Sequence, residues 1–337
     1  MNRLLLFLLW ATLASAAGCS AGSTCRHLTG AALGTTYSII TCNNNNNNND
    51  TLQDEVVELM QRVEKSLSIY DKASIISKVN RNEDVALDGY FIECFEVARQ
   101  VSKQTGGAFD ISGSPLYAAW GFGANEHLTP PSRQQIDSLK QLCGMSKLSI
   151  VNGHLVKSDP RVQLNANAVA KGYAVDVVAR FLEGKNITSY MVEIGGEVRC
   201  GSVKPNGAKW TIGIDSPRDG NFTPGADLAS ILEISDRAVA TSGSYRRFYM
   251  SGAEKIPHII NPATGCPARN SLLSATVAAG SCAAADAYAT AFMVMGVDSA
   301  KALLDRDSEL EGFLIFSEQQ QLRTYATPKF KDWLIKK

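Results

Sequence analysis

Ser281-Cys-Ala-Ala-Ala-Asp-Ala-Tyr-Ala-Thr-Ala-Phe-Met-Val-Met-Gly296 reads as a helix packed closely against its surroundings. Its strong oxygen ligands are Asp286 and Thr290. Four residues apart, they stand one turn above the other on a single face, among alanines small enough to admit a bulky charged ligand. A carboxylate and a hydroxyl so placed suit a hard cation such as Mg²⁺, with water or phosphate completing the shell. A plain buried Ala-rich helix with a solvated Asp is the simpler reading of the stretch when it stands alone, so the rest of the chain must supply the context.

Lys+Arg and Asp+Glu are equal at 33 each in 337 residues. There is thus no global basic field for nucleic acid and no acidic tail, and partner identity rests on a local site. At the amino terminus, Asn2-Arg3 precede an apolar run from Leu4 to Leu13, then small residues Ala14 to Gly18, then Cys19. Residues 1–18 have the layout of a secretory signal, and the run is too short to span a membrane. Ala16-Ala17-Gly18-Cys19 resembles a lipobox, with Ala16 where Leu is more usual. The expectation is an exported chain, lipid-anchored through Cys19 on the periplasmic or outer side of a bacterial membrane, with plain cleavage as the rival. Residues 19–29 then form a tether and 30–337 the domain. The eight cysteines include no CxxC pair; buried or free thiols are expected, with neither a disulfide framework nor a zinc site.

Along the chain, Ala31 to Ile40 reads as a first strand, and the polar run Asn43 to Asn49 can bury nothing. Val56, Leu59, Val63 and Leu67 recur at helical spacing behind a possible Thr51/Asp54 capping box, and Ser66 to Asn80 reads as a structured loop. A second helix covers Phe91 to Gln104 and ends at Gly106-Gly107. Thr105 to Leu116 has the glycines of a backbone that approaches a ligand, with Asp110 as its one charge; a helix cap running into a turn explains the glycines but not Asp110. Ser132 to Cys143 is a capped helix, and Leu148–Val151 with His154–Lys157 form a hairpin around Asn152-Gly153. A strand at Val162 to Leu164 leads into a helix ending near Gly184, with Ala170, Tyr173 or Ala174, Val177 and Phe181 inward. Lys171 sits in that helix's first turn, where a cation opposes the dipole unless a phosphate or an acidic side chain holds it; a snorkelling surface lysine is the plainer reading. Met191 to Arg199 reads as one strand broken by a glycine pair, followed by strands at Trp210–Ile214 and within Ala238–Tyr249. A helix near Ala300–Leu304 and strands at Gly312–Phe316 and Gln321–Tyr325 close the chain. Helices and strands mix without strict alternation, which favours a single α+β domain over a doubly wound sheet. Neither GxxxxGK[ST] nor GxGxxG occurs.

Nine motifs in order then resemble the ApbE-like FAD:protein FMN transferases over Gly30 to Gly296. They are Gly34-Thr-Thr-Tyr37, Ser74 to Asn80, Gly106-Gly-Ala-Phe-Asp110, Trp120-Gly-Phe-Gly123, Ala168-Val-Ala-Lys-Gly-Tyr173 with Asp176, Ile194-Gly-Gly-Glu197, Thr241-Ser-Gly243, His258-Ile-Ile-Asn-Pro-Ala-Thr-Gly265 and Ala285-Asp-Ala-Tyr-Ala-Thr290. The resemblance implies a mixed, largely antiparallel sheet flanked by helices. It implies Mg²⁺-dependent transfer of FMN from FAD to a Thr or Ser hydroxyl of a target protein, such as a membrane redox subunit, with release of AMP, by an exported lipoprotein. Carried over by motif, Asp286, the Thr290 hydroxyl and a backbone oxygen of Ala168 hold the metal. Leu33, Ile75, Ile76, Ser77, Asp110, Lys171 and Ile260 line FAD, with Asp110 on the adenosine half. Two departures bear on fine specificity: Asn165 stands where Asp is common, and Leu33 where Met is frequent.

Phosphoryl transfer needs a cation on the pyrophosphate, an aligned hydroxyl and a proton acceptor. Lys171 either adds charge at the phosphates or pairs with Asp286. His258, the one histidine of four inside a motif, is the expected base; Asp286 is the rival, weakened as a base if it binds the metal. The alternatives are an FAD pyrophosphatase, with water as the nucleophile, and a non-catalytic flavin-binding lipoprotein, which would need neither the Asp286/Thr290 pair nor His258.

Overall fold

The computed structural model describes residues 24–43, 51–123, 129–218, 220–221, 223–245, 248–252 and 254–335. The expected signal segment, Cys19 and all but the first residue of the asparagine run lie outside the described residues. The expected tether does so only in part, because the first strand already begins at Thr24.

An eight-stranded sheet forms the centre. In spatial order its strands are Thr24–Ala32, Thr35–Asn43, Ser189–Ile194, Glu197–Cys200, Arg237–Gly243, Leu272–Ala279, Glu311–Glu318 and Gln321–Ala326, each antiparallel to its neighbours. The α+β architecture and the largely antiparallel sheet are as expected. Parallel pairing among the described residues is confined to a Gly113–Gln163 bridge, which is all that forms of the expected Val162–Leu164 strand.

Side chains alternate across this sheet with a period of two. Ala238, Ala240, Val277, Ala279, Leu314 and Phe316 belong to the main core, while Val239, Ala278, Phe313 and Ile315 belong to a second one. The described helices are α1 (Leu52–Leu67), α2 (Ile75–Asn80), α3 (Gly89–Gln104), α4 (Ser114–Ala119), α5 (Arg133–Lys140), α6 (Ala170–Gly184), α7 (Cys282–Met295), α8 (Val297–Arg306) and α9 (Pro328–Trp333). The apolar residues of α1, α3, α6, α7 and α8 fill the main core. On the opposite face, α9 and a small sheet of Trp210–Asp215, Leu228–Ile234 and Leu334–Ile335 close the second core around Trp210, Leu232 and Phe330.

Several sequence expectations are corrected. The expected first strand, Ala31 to Ile40, is a hairpin that turns at Leu33-Gly34. Both turn residues have positive φ, 54° and 71°, the twist that suits tight hairpins, and a leucine gives no sign of it in the sequence. Gly195 and Gly196, with φ of 62° and 100°, likewise reverse the chain, so Met191 to Arg199 is two paired strands. The loop expected at Ser66–Asn80 contains α2, whose cap Ser74 accepts the Ser77 N–H at 3.1 Å. Thr51 is itself helical and makes no capping bond, donating instead to the Glu55 carboxylate at 3.2 Å, whereas the Ser132/Gln135 capping box is formed. Cys25 and Cys42 form a disulfide, contrary to the expectation of free thiols. They are register partners across the first hairpin, a pairing invisible while Cys25 was read as tether. Cys94, Cys143, Cys200, Cys266 and Cys282 are free.

Candidate active site

Helices α6 and α7 cross where the motif residues meet. Residues 172–179 of α6 are all buried, so the helix is enclosed on every side and not along one stripe. Gly172 makes the crossing possible: a Cβ there would lie 2.4 Å from the Cys282 carbonyl oxygen and 2.9 Å from the Asp286 Cβ. The first N–H groups of α7, which no helix can satisfy internally, go largely to α6. Asp176 accepts the N–H of Cys282 on Oδ1 and of Ala283 on Oδ2, each at 2.9 Å, while Ser281 Oγ accepts that of Ala284 at 3.2 Å. Arg199 Nη1 donates to the same Asp176 carboxylate at 2.8 Å. With the helix start clamped, Asp286 is placed against Gly172, whose N–H donates to its Oδ2 at 3.1 Å. One turn on, Thr290 Oγ1 lies 3.1 Å from Ser242 Oγ on the neighbouring strand.

Asp286, Thr290 and Ser242 face a cavity of about 740 Å³, within the range of ligand pockets. Its lining brings together Leu33, Asp110, Ala168, Lys171, His258, Ile260, Asp286 and Thr290. Ile75, Ile76 and Ser77 are not in it. Ile76 is buried in the main core and the Ser77 hydroxyl donates to the Ser68 carbonyl at 3.3 Å, so α2 stands behind the wall, which is made here by Leu67, Ser68 and Tyr70. Glu64, Phe109, Phe122, Asn167, Glu197 and Ser242 also line it and were not singled out from the sequence. For Phe109, Phe122, Glu197 and Ser242 the available signal was membership of a motif. The Trp120 and His258 motifs join where Trp120 Nε1 donates to the Gly265 carbonyl at 2.8 Å. Phe122 packs with Tyr249, Ile256 and Ile260, and the half-buried His258 ring meets it edge-on at 6.2 Å. Asp110 Oδ1 accepts from the Ser112 N–H and hydroxyl at 2.7 and 2.6 Å.

The charge balance is uneven. Four carboxylates, Glu64, Asp110, Glu197 and Asp286, line the cavity among the described residues, against Lys171. Lys171 ion-pairs with Glu197, not with Asp286 as one reading of the sequence had it. Burial pushes Glu197 up to about 7; Lys171 opposes the rise and Asp286 adds to it. Burial also raises Asp110 and Asp286, the latter partly offset by Lys171 and the Gly172 N–H. Burial alone would lower Lys171, but Glu197 and Asp286 outweigh it, and the amine is held above its usual range. Glu197 Oε2 is buried without a hydrogen-bond partner. Such a surface repels an anionic ligand unless a cation enters with it.

Because the folded Glu197 binds protons up to about 7 against 4.5 in the unfolded chain, the folded state holds more protons in that window, and stability falls as pH rises through it. In EDTA, the melting temperature of wild type should therefore drop relative to Glu197→Gln between pH 4.5 and 7, by calorimetry at fixed ionic strength; a constant difference would refute the assignment.

The antiparallel α+β fold thus sets a carboxylate, a hydroxyl and a lysine from the α6–α7 crossing and a histidine from a neighbouring loop around one cavity. The chain belongs to the ApbE family, whose sequence model matches residues 33–314. It is 33% identical over 331 residues to the FAD:protein FMN transferase of Vibrio cholerae, covering 97% of this chain and 98% of that relative. It is 29% identical over 292 residues to the FAD:protein FMN transferase of Escherichia coli K12, covering 84% and 82%. Among solved structures, the flavin transferase ApbE from V. cholerae aligns with a TM-score of 0.83 at 32% identity, covering 93% of this chain and all (100%) of that one. The ApbE protein of Thermotoga maritima aligns with a TM-score of 0.82 at 27% identity, with the same coverage.

Proposed function

We propose that this chain transfers FMN from FAD to a Thr or Ser hydroxyl of a target protein through a phosphoester bond, releasing AMP, with Mg²⁺ held by Asp286, Thr290 and the Ala168 backbone oxygen. The observation that carries the reading is the meeting of these three with Lys171, His258 and Asp110 in one cavity, rich in carboxylates and poor in cations, of a chain from this family. The donors fit the ion: all are hard oxygens, and the excess of carboxylates calls for positive charge. Among the described residues no three His, Cys, Asp or Glu side chains are grouped to hold a metal, so beside the one carboxylate of Asp286 the shell relies on hydroxyl, carbonyl and substrate oxygens; few carboxylates with substrate phosphates is the usual habit of Mg²⁺. Bound there, Mg²⁺ supplies charge neutralisation at the pyrophosphate.

The chain's own groups do the rest. The Gly172 N–H fixes Asp286 through Oδ2 and leaves Oδ1 for the ion. Lys171, anchored by Glu197, adds positive potential beside the phosphates. The acceptor oxygen bonds to the FMN phosphorus, the bond from that phosphorus to the bridging oxygen breaks, and AMP leaves with the bridge. His258 takes the acceptor's proton. Asp110 meets the adenosine half, and Leu33 and Ile260 pack on the bound FAD. The amino-terminal run and Cys19 support export and lipid anchoring on the periplasmic or outer face of a membrane, where a membrane redox subunit is the fitting acceptor.

Incubating the mature protein with FAD, Mg²⁺ and a co-expressed redox subunit should add the mass of FMN, less water, to one Ser or Thr of the subunit. Release of AMP without labelled protein would make the chain an FAD pyrophosphatase instead.

A further inference from the structure

We infer that Ser242 is the positioning residue that turns Thr290 into a cation ligand, an inference that rests on the Mg²⁺ site proposed above. A neutral hydroxyl binds a cation through an oxygen lone pair, so its proton must point away from the ion and needs an acceptor. Ser242 Oγ, 3.1 Å from Thr290 Oγ1, is that acceptor. Either oxygen of the pair can donate, and the two directions have opposite consequences. If Ser242 donates, a Thr290 lone pair is spent and its proton is left to face the cavity, where it repels a cation. If Thr290 donates, its proton is tied to Ser242 and its remaining lone pairs are free for the ion.

The surroundings favour the second direction. Four carboxylates draw positive charge into this cavity, and Ser242 and Thr290 are both half-buried on its wall. The neighbouring hydroxyl on the strand, Thr241, is already engaged with Thr276 at 2.9 Å and leaves the task to Ser242. The strand Arg237–Gly243 packs directly against α7, so the pair joins two rigid elements and not two loops. In this role Ser242 acts through Thr290 and needs no contact of its own with the ion or the reacting atoms.

The test is cation binding, read without turnover. Mn²⁺ is titrated into the FAD-free mature protein, and free Mn²⁺ is followed by electron paramagnetic resonance. Ser242→Ala should weaken Mn²⁺ binding roughly tenfold or more, the usual effect of losing an outer hydrogen-bond partner, with thermal unfolding in EDTA unchanged. Ser242→Thr, which restores a hydroxyl, should bind within about threefold of wild type on the same grounds. Wild-type affinity in Ser242→Ala, while Asp286→Ala loses Mn²⁺, would overturn the role of Ser242 and leave the cation site standing. Equal losses in Ser242→Ala and Ser242→Thr would also overturn it, because the hydroxyl would not be what matters. Absence of Mn²⁺ binding by the wild-type protein would overturn the cation site and this inference together.

Discussion

Asp286→Asn is expected to slow flavin transfer roughly a thousandfold or more while leaving the metal-free protein at least as stable as wild type. The two effects have opposite signs for one reason. Asp286 is the sole charged group that the protein contributes to the proposed Mg²⁺ shell, and its replacement by an amide leaves only neutral protein oxygens there. Several kcal/mol of transition-state charge stabilisation then disappear, and about 4 kcal/mol is a factor of roughly 10³ in rate. Without the ion, however, Asp286 is a buried carboxylate whose ionisation is opposed by burial. An amide of the same shape removes that cost and can keep the bond from the Gly172 N–H. The checks are the rate of AMP release at saturating Mg²⁺ and calorimetry in EDTA. A variant with normal turnover would remove the carboxylate from the mechanism, and one that melts well below wild type would make its role structural.

Gly172→Ala is the second large effect, and magnitudes decide its sign. In an ordinary helix interior the change stabilises by about 1 kcal/mol, because glycine is the poorer helix former. Here the new Cβ would sit 2.4 Å from a backbone carbonyl oxygen, far inside contact distance, and neither helix can yield without the other. Overpacking costs about 1–3 kcal/mol and more where backbone must move, so a net loss of roughly 2 kcal/mol follows. The displacement also pulls the Gly172 N–H from Asp286, so Mn²⁺ affinity should fall at least about tenfold. A stabilised variant that binds Mn²⁺ normally would show that the helices are not pinned together at this point.

What the sequence disclosed depended on how local the cause was. Asp286 and Thr290 share a helix face by their spacing alone, the Asn152-Gly153 hairpin carries its own turn chemistry, and Ser132 and Gln135 cap a helix within one turn. Leu272–Ala279 was missed because helices cover one face of it and the second core the other, which erases the polar alternation that marks a half-exposed strand. The turn at Leu33-Gly34 was missed because leucine rarely takes positive φ, and with it went the hairpin and the Cys25–Cys42 bond. Within the site, the residues named from motifs converge except for Ile75 to Ser77, whose helix is set back by the Ser74 hydroxyl's bond to the Ser68 carbonyl at 2.7 Å. The partners that hold the site were not legible. Asp176 reaches Cys282 and Ala283 across separations of 106 and 107 residues, Glu197 reaches Lys171 across 26, and Ser242 reaches Thr290 across 48. No periodicity records contacts of that kind; the motifs containing these residues were their only trace.

The central claim is that one cation sits where Asp286, Thr290 and Ala168 meet and engages the pyrophosphate of FAD. Crystals of the protein grown with Mn²⁺ and FAD test it through the anomalous signal of manganese. The account predicts a peak within coordination distance of an Asp286 carboxylate oxygen, Thr290 Oγ1, the Ala168 carbonyl and a pyrophosphate oxygen. Bound FAD with no peak there, or a peak held by other residues, would contradict it.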